Sequence, residues 1–304
     1  MERFEINIIG CGAALPTPRH LGSTQIVNVR EKLFMLDCAE GAQVAIRQMR
    51  LSFTGLVAIF LTHMHGDHVF GLMGLLSTLG LLGRRQELHV YGPAPMQSIF
   101  QPQIDYFCAE SPFPIILHEV DPKEPQVIYE DRAVTISTLP LSHRAPCCGY
   151  LFREKPTLPH IRRDMIDFYG IPVSQINNIK AGMDWTLDDG TIIPHSRLTT
   201  PAAPARSYAY CTDTRYRPSL APLIDGVDCL YHEATFSEEH RLLARQTCHS
   251  TARQAALTAK EAHAGRLILG HFSSRYRDER VLLNEAAAVF PNAILACEGM
   301  KVTL

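Results

Sequence analysis

The continuous apolar run at residues 57–61 passes directly into Thr62-His63-Met64-His65-Gly66-Asp67-His68. A run of that length and character reads as a buried strand, and it ends on three histidines and an aspartate. Alternate residues of an extended chain face the same side, so His63 and His65 converge on one ion. Gly66 then bends the chain, and Asp67 and His68 aim at a second point close by. Mixed imidazole and carboxylate donors suit zinc, with manganese or iron as alternatives. Four ligands cannot close two ions, so the others must come from elsewhere in the chain.

Strand and helix character alternates along the rest. Residues 4–9, 25–29, 33–37, 88–91, 127–129, 133–139, 149–152, 208–211, 229–232, 267–269 and 293–296 read as strands. Residues 40–49, 250–262 and 279–289 read as helices, as do stretches beginning near His68 and Ala94. Gly10-Cys11-Gly12 after the first strand hints at a dinucleotide turn. The third small residue of that fingerprint falls on Leu15, however, and Pro16 and Pro18 spoil the helix that must follow. The element order predicts an α/β chain with two β-sheets sandwiched between helices.

With 304 residues, 46% of them hydrophobic, the chain can build one large domain or two fused halves. Its net charge is −2, so a nucleic-acid partner would have to be met locally. The nine cysteines include no Cys-x-x-Cys pair, and MERFEINIIG lacks the apolar core of a signal peptide. A reduced, cytoplasmic protein is expected. The longest apolar run, 69–82, is broken by glycines and too short to span a bilayer. Residues 153–205 differ from the rest, with six prolines (Pro156, Pro159, Pro172, Pro194, Pro201 and Pro204) and weak periodicity. Such a segment reads as an excursion with its own function.

Three further ligand-capable residues stand at predicted strand ends, where open α/β sites gather their groups: His143 in LPLSHRAPCCGY, Asp213 in YAYCTDTRY and His271 in LILGHFSSRY. His63, His65 and His143 can then hold one ion, Asp67, His68 and His271 the other, and Asp213 can bridge. Two ions roughly 3.5–4 Å apart serve in-line displacement at phosphorus. One acidifies a water, and both neutralise charge on the phosphoryl oxygens. His20, His89, His118, His160, His195, His240 and His263 stand alone and read as solvated or structural.

HMHGDH meets the His-x-His-x-Asp-His signature, and the chain resembles the metallo-β-lactamase superfamily. Within it the chain is similar to the ribonuclease Z family, the tRNA 3′-processing endonucleases, in its short form. The likeness is carried by IIGCGAALPTP, LDCAEGAQ, THMHGDHVFGL, the SH…GY segment at 142–150, CTDTR, HEATF, HSTARQAA and GHFSSRY. It implies an αββα sandwich spanning 1–304 as one domain, with an exosite arm inserted at 153–205. It also implies two Zn2+ ions per subunit (or Mn2+), a precursor tRNA substrate, a homodimer and no membrane association.

By the same resemblance Asp67 is the proton acceptor, His249 assists the leaving oxygen at the scissile phosphate, and Glu233 orients His249. Arg275 and, in the arm, Arg162 and Arg163 are the implied phosphate contacts. The implied reaction removes the 3′ trailer of precursor tRNA, leaving a 3′-hydroxyl on the tRNA and a 5′-phosphate on the trailer. A phosphodiesterase or exoribonuclease acting on other RNAs or small diesters is the alternative on the same fold. A metal-free RNA-binding relative is a third reading, disfavoured because all seven ligands are present. The chain departs from the family at Val173-Ser174, where the arm usually carries Gly-Pro, and at Ala39 and Thr212, where glycine is usual. Residues 153–195 hold five Lys/Arg against six Asp/Glu, so the arm is not basic overall.

Overall fold

The apolar runs pair into two seven-stranded sheets in the computed structural model, which describes residues 3–304. The chain forms two compact units, residues 3–153 with 206–304, and residues 154–205.

In the larger unit the first sheet has the spatial order Lys301–Thr303, Phe4–Gly10, Thr24–Val29, Lys32–Leu36, Leu56–Phe60, Leu88–Pro93, Ile115–Val120. It is antiparallel up to Lys32–Leu36 and parallel beyond. The second sheet has the order Ala293–Leu295, Arg266–Gly270, Cys229–Glu233, Ser207–Cys211, Cys148–Glu154, Val134–Pro140, Val127–Glu130. Its first four strands are parallel, and Cys148–Glu154 then joins them antiparallel.

The period of two explains why the central strands read as unbroken apolar runs. Phe34, Leu36, Ala58 and Phe60 enter the core shared by the two sheets. Met35 and Ile59 point the other way, onto the helices Ala42–Gln48, Leu72–Leu81 and Met96–Phe107. Both faces are therefore covered, as parallel sheets require. An aromatic seam joins the sheets, with the Phe60 ring 5.3 Å from Tyr150 and 6.1 Å from Phe152. On the far side, helices Ala252–Glu261 and Arg280–Ala287 lie against the second sheet through small buried residues such as Ala255, Ala259 and Ala286. The layers thus run helix, sheet, sheet, helix, as the sequence predicts.

Local departures have local causes. The helix expected from His68 is split into Gly66–Val69 and Leu72–Leu81. At the break, Gly71 lies so close to the loop 37–39 that a Cβ would fall 1.9 Å from the Ala39 carbonyl oxygen. Strand Ile115–Val120 escapes a reading for apolar runs because His118 and Glu119 interrupt it. Helix Arg241–Thr247 escapes it because most of its residues are polar or exposed. Helix Ala252–Glu261 starts on a capping box: the Gln254 N–H donates to Thr251 Oγ1 at 3.2 Å, and the Thr251 N–H donates to Gln254 Oε1 at 3.0 Å. Among the described residues all nine cysteines are free, and no helix is long and apolar enough to cross a membrane.

The unit 154–205 has regular structure that its weak periodicity hides. It contains helices Arg163–Tyr169, Ile176–Lys180 and His195–Leu198, and two short ladders. His160–Ile161 pairs with Thr199–Thr200, and Trp185–Thr186 with Ile192–Ile193. Ile171, Ile179, Ile193 and Leu198 make a small core of its own. Gly170 ends the first helix at φ 61, the left-handed conformation that favours glycine. Phe168 and Val173 stand 76% and 83% exposed on its surface.

Candidate metal centre

Strand Leu56–Phe60 delivers the motif to the end of the first sheet. The Leu61 N–H donates to the Tyr91 carbonyl at 2.7 Å, and the Thr62 N–H to Asp37 Oδ1 at 2.7 Å. His63 presents Nε2, because Thr62 Oγ1 holds its Nδ1 at 3.1 Å. His65 presents Nδ1, 2.9 Å from His63 Nε2 and 3.3 Å from His143 Nε2. His143 comes from the end of strand Val134–Pro140, with its Nδ1 on the Cys248 carbonyl at 3.2 Å. Three imidazole nitrogens thus meet at one point.

The second point is built by Asp67, His68 and His271. His68 Nδ1 donates to the buried Asp37 at 2.8 Å, and His271 Nδ1 pairs with Thr235 Oγ1 at 2.9 Å. Each ring therefore turns Nε2 inward. Asp67 is oriented by the Ala14 N–H, which donates to Oδ2 at 2.9 Å.

Asp213 lies between the two sets and gives one oxygen to each. Oδ1 is 3.9 Å from His63 Nε2 and 3.8 Å from His143 Nε2. Oδ2 is 3.2 Å from His68 Nε2 and 3.1 Å from His271 Nε2. Despite those distances, the buried Nε2 atoms of His68 and His271 have no hydrogen-bond partner. A buried polar atom without a partner is costly unless something else meets it. Lone pairs aimed together with carboxylate oxygens at one point are what a divalent cation requires, so the donor set fits two such ions.

Burial holds His63, His143 and His271 below the ordinary imidazole pKa, which keeps their lone pairs available. For His68 burial acts the same way, but Asp213 and Asp37 outweigh it and raise its pKa. A cation shared by Nε2 and Asp213 would take that proton's place. Burial also works against the charge on Asp213, and the surrounding histidines overcome it and hold the carboxylate ionised.

His249 stands at the rim, its ring 5.2 Å from that of His143 and 5.4 Å from that of His271. Its Nδ1 is 3.0 Å from Glu233 Oε1. Glu233 is fully buried at the end of strand Cys229–Glu233, and its other oxygen accepts from Thr235 Oγ1 at 2.6 Å and the Ser250 N–H at 3.0 Å. Burial opposes a charge on His249, but Glu233 prevails and pushes the pKa up to about 9. Asp67, Asp213, His249 and His271 line a cavity of about 360 Å³.

Relatives share this chain over its whole length. A protein of Bacteroides thetaiotaomicron named ribonuclease Z is 53% identical over 100% of this chain and 96% of its own. Ribonuclease Z of Bacteroides fragilis is 52% identical over 100% of both chains, and that of Porphyromonas gingivalis is 47% identical over the same extent. The chain belongs to the ribonuclease Z family. Among solved structures, the short form of human tRNase Z superposes with a TM-score of 0.71 at 24% identity, covering 98% of each chain. YhfI of Bacillus subtilis, a metallo-β-lactamase fold protein, gives 0.68 at 20% identity over 99% of this chain and 100% of its own. The family profile "Anti-Pycsar protein Apyc1" matches residues 4–100.

In this member of the ribonuclease Z family the seven expected ligands, His249 and Glu233 come together. Arg275 is exposed on the loop after His271, next to Ser273 and Ser274, which line the cavity. Arg162 and Arg163 belong to the unit 154–205, where Arg162 pairs with Asp164 at 2.7 Å. Arg215, Arg241 and Arg245, which the sequence reading passed over, line a cleft of about 450 Å³ that also reaches His249. Asp37 was missed as well, although it ends an apolar strand just as Asp213 does. Replacing it, as Asp37→Asn, removes the charge that orients His68. Retention of an ion at the second point should weaken about 10–100-fold, measured by chelator competition; unchanged retention would deny Asp37 that role.

Proposed function

We propose that this chain is a zinc-dependent endoribonuclease that removes the 3′ trailer of precursor tRNA, leaving a 3′-hydroxyl on the tRNA and a 5′-phosphate on the trailer. One observation carries the reading: Asp213 gives an oxygen to each of two ligand sets beside the His249–Glu233 pair, in a chain about half identical to ribonucleases Z. His63, His65 and His143 would hold one zinc ion, and Asp67, His68 and His271 the other, with Asp213 shared. Bound there, zinc supplies Lewis acidity at the phosphoryl oxygens and a water able to attack at neutral pH.

The remaining work falls to protein groups. His249 is protonated at neutral pH, with Nδ1 on Glu233, which leaves the Nε2 proton for the departing 3′-oxygen of the tRNA as the phosphorus–oxygen bond breaks. Asp67 is held ionised: burial raises its pKa, but the close approach of His68 and the charges of His68 and His271 lower it. It accepts the proton of the attacking water and passes it to solvent. Arg215, Arg241 and Arg245 are placed to meet phosphates flanking the scissile one. In the segment 154–205, Arg162, Arg163 and the exposed Phe168 and Val173 are available to grip the tRNA body. Exposed Phe70, Leu81, Tyr106 and Phe107 (66–86%) favour a homodimer. Nine free thiols favour a reducing cytoplasm.

The direct test is incubation with a 3′-extended precursor tRNA, with and without chelator. A single metal-dependent cut near the discriminator nucleotide is expected, and its absence would overturn the proposal. Deleting residues 160–190 should cripple that cut while sparing a small chromogenic phosphodiester; equal loss on both would make the segment a support for the fold instead.

The pH profile tests the proton donor. An acid with a raised pKa works below that pKa and fails as pH climbs through it, so kcat should fall near pH 9. Glu233→Gln removes the main lifting charge and should move that limb down toward the ordinary imidazole value of about 6.5. A limb that stays in place would exclude His249 as the acid.

A further inference from the structure

A second cluster of metal-capable groups lies at the end of strand Phe4–Gly10. Cys11, His20 and Glu298 bring a thiol, an imidazole and a carboxylate to one point. Cys11 Sγ is 3.5 Å from His20 Nδ1 and 3.6 Å from Glu298 Oε1, and His20 Nδ1 is 3.2 Å from that same oxygen and 3.0 Å from Oε2. With zinc–sulfur and zinc–nitrogen bonds of about 2.3 and 2.0 Å, tetrahedral angles separate sulfur from nitrogen by about 3.5 Å and nitrogen from oxygen by about 3.3 Å. The three edges of the cluster approximate a face of such a tetrahedron.

The surroundings orient each donor. His20 Nε2 is 3.3 Å from Glu279 Oε1, which Arg19 holds at 3.0 Å, so the ring turns Nδ1 inward. A carboxylate on the outer nitrogen is the usual companion of a metal-bound histidine. The Leu21 N–H donates to Glu298 Oε1 at 3.0 Å and fixes that carboxylate. Cys11 is fully buried, and its sulfur faces three acceptor-capable atoms: His20 Nδ1, Glu298 Oε1 and, at 3.7 Å, the Ala296 carbonyl oxygen. A thiolate and a carboxylate together balance one dication. The side chains of His20 and Glu298, 14% and 25% exposed, leave an approach from solvent.

We propose that Cys11, His20 and Glu298 form a separate site for a thiophilic divalent cation of the zinc class, with water in the fourth position. Binding releases to solvent both the thiol proton and the His20 Nδ1 proton that Glu298 holds. The role is structural, because the same loop supports the candidate metal centre. The Phe272 N–H donates to the Cys11 carbonyl at 2.9 Å and the Ala13 N–H to the Phe272 carbonyl at 3.0 Å, directly beside His271. Ala14 is the residue that orients Asp67. A cation at Cys11 therefore braces the chain that positions a ligand on each side.

Cobalt(II) distinguishes this site from the other, whose proposed donors are nitrogen and oxygen only. The metal is titrated without oxygen into metal-free wild-type protein and into the variants Cys297→Ser and Cys11→Ala, reading near-ultraviolet thiolate-to-cobalt absorption and bound cobalt per chain. Cys297 is the exposed neighbouring thiol and serves as the control. Wild type and Cys297→Ser should show the absorption and bind one equivalent more than Cys11→Ala, which should lose the absorption entirely. Folded wild-type protein without thiolate absorption would overturn the proposal and leave a hydrogen-bonded cluster only. Equal cobalt in wild type and Cys11→Ala would overturn it as well.

Discussion

Asp213 is a buried carboxylate ringed by four imidazole nitrogens, and the whole centre depends on how its charge is met. An isolated carboxylate in that setting would be expensive to keep ionised. His63, His143 and His271, held below the ordinary imidazole pKa, present lone pairs alongside it, and His68 carries a proton that a cation would replace. The arrangement makes sense as a container for positive charge. Backbone geometry supports this reading, since Asp213, Asp37 and His271 adopt φ of 52°, 55° and 57°. Left-handed backbone at residues other than glycine costs about 1–3 kcal/mol each and persists where surrounding structure enforces it. These three, of the nine described non-glycine residues with positive φ, aim or support donors.

The fold supplies the convergence. Asp37, His63, His143, Asp213, Glu233 and His271 each stand at or just beyond the C-terminal end of a strand, and those strands are drawn from both sheets. Sandwiching the sheets through the Phe34, Phe60, Tyr150 and Phe152 seam brings these ends to one edge. Loops can then vary in length while the strand ends stay fixed. Packing in the aromatic seam and donor placement in the centre are thus two consequences of one register.

The strands were legible because burial on both faces writes a continuous apolar run into the sequence, and the ligands because four of them share one turn. His143, Asp213 and His271 were legible through the rule that open α/β sites collect groups at strand ends. What was hidden depends on contacts between residues far apart in sequence. Asp37 meets His68 across 31 positions, and His20 meets Glu298 across 278. Arg241 and Arg245 are ordinary helix-surface residues until the fold lines them up beside His249. The segment 154–205 concealed its small core because Ile171, Ile179, Ile193 and Leu198 are spread over short elements with no common period.

Diffraction from metal-loaded crystals at the zinc absorption edge addresses the shared carboxylate most directly. At this centre the expected map has two anomalous peaks roughly 3.5–4 Å apart, each within bonding distance of one Asp213 oxygen and apart from any peak at Cys11. A single peak, or two peaks with Asp213 bound to only one, would contradict the dinuclear centre.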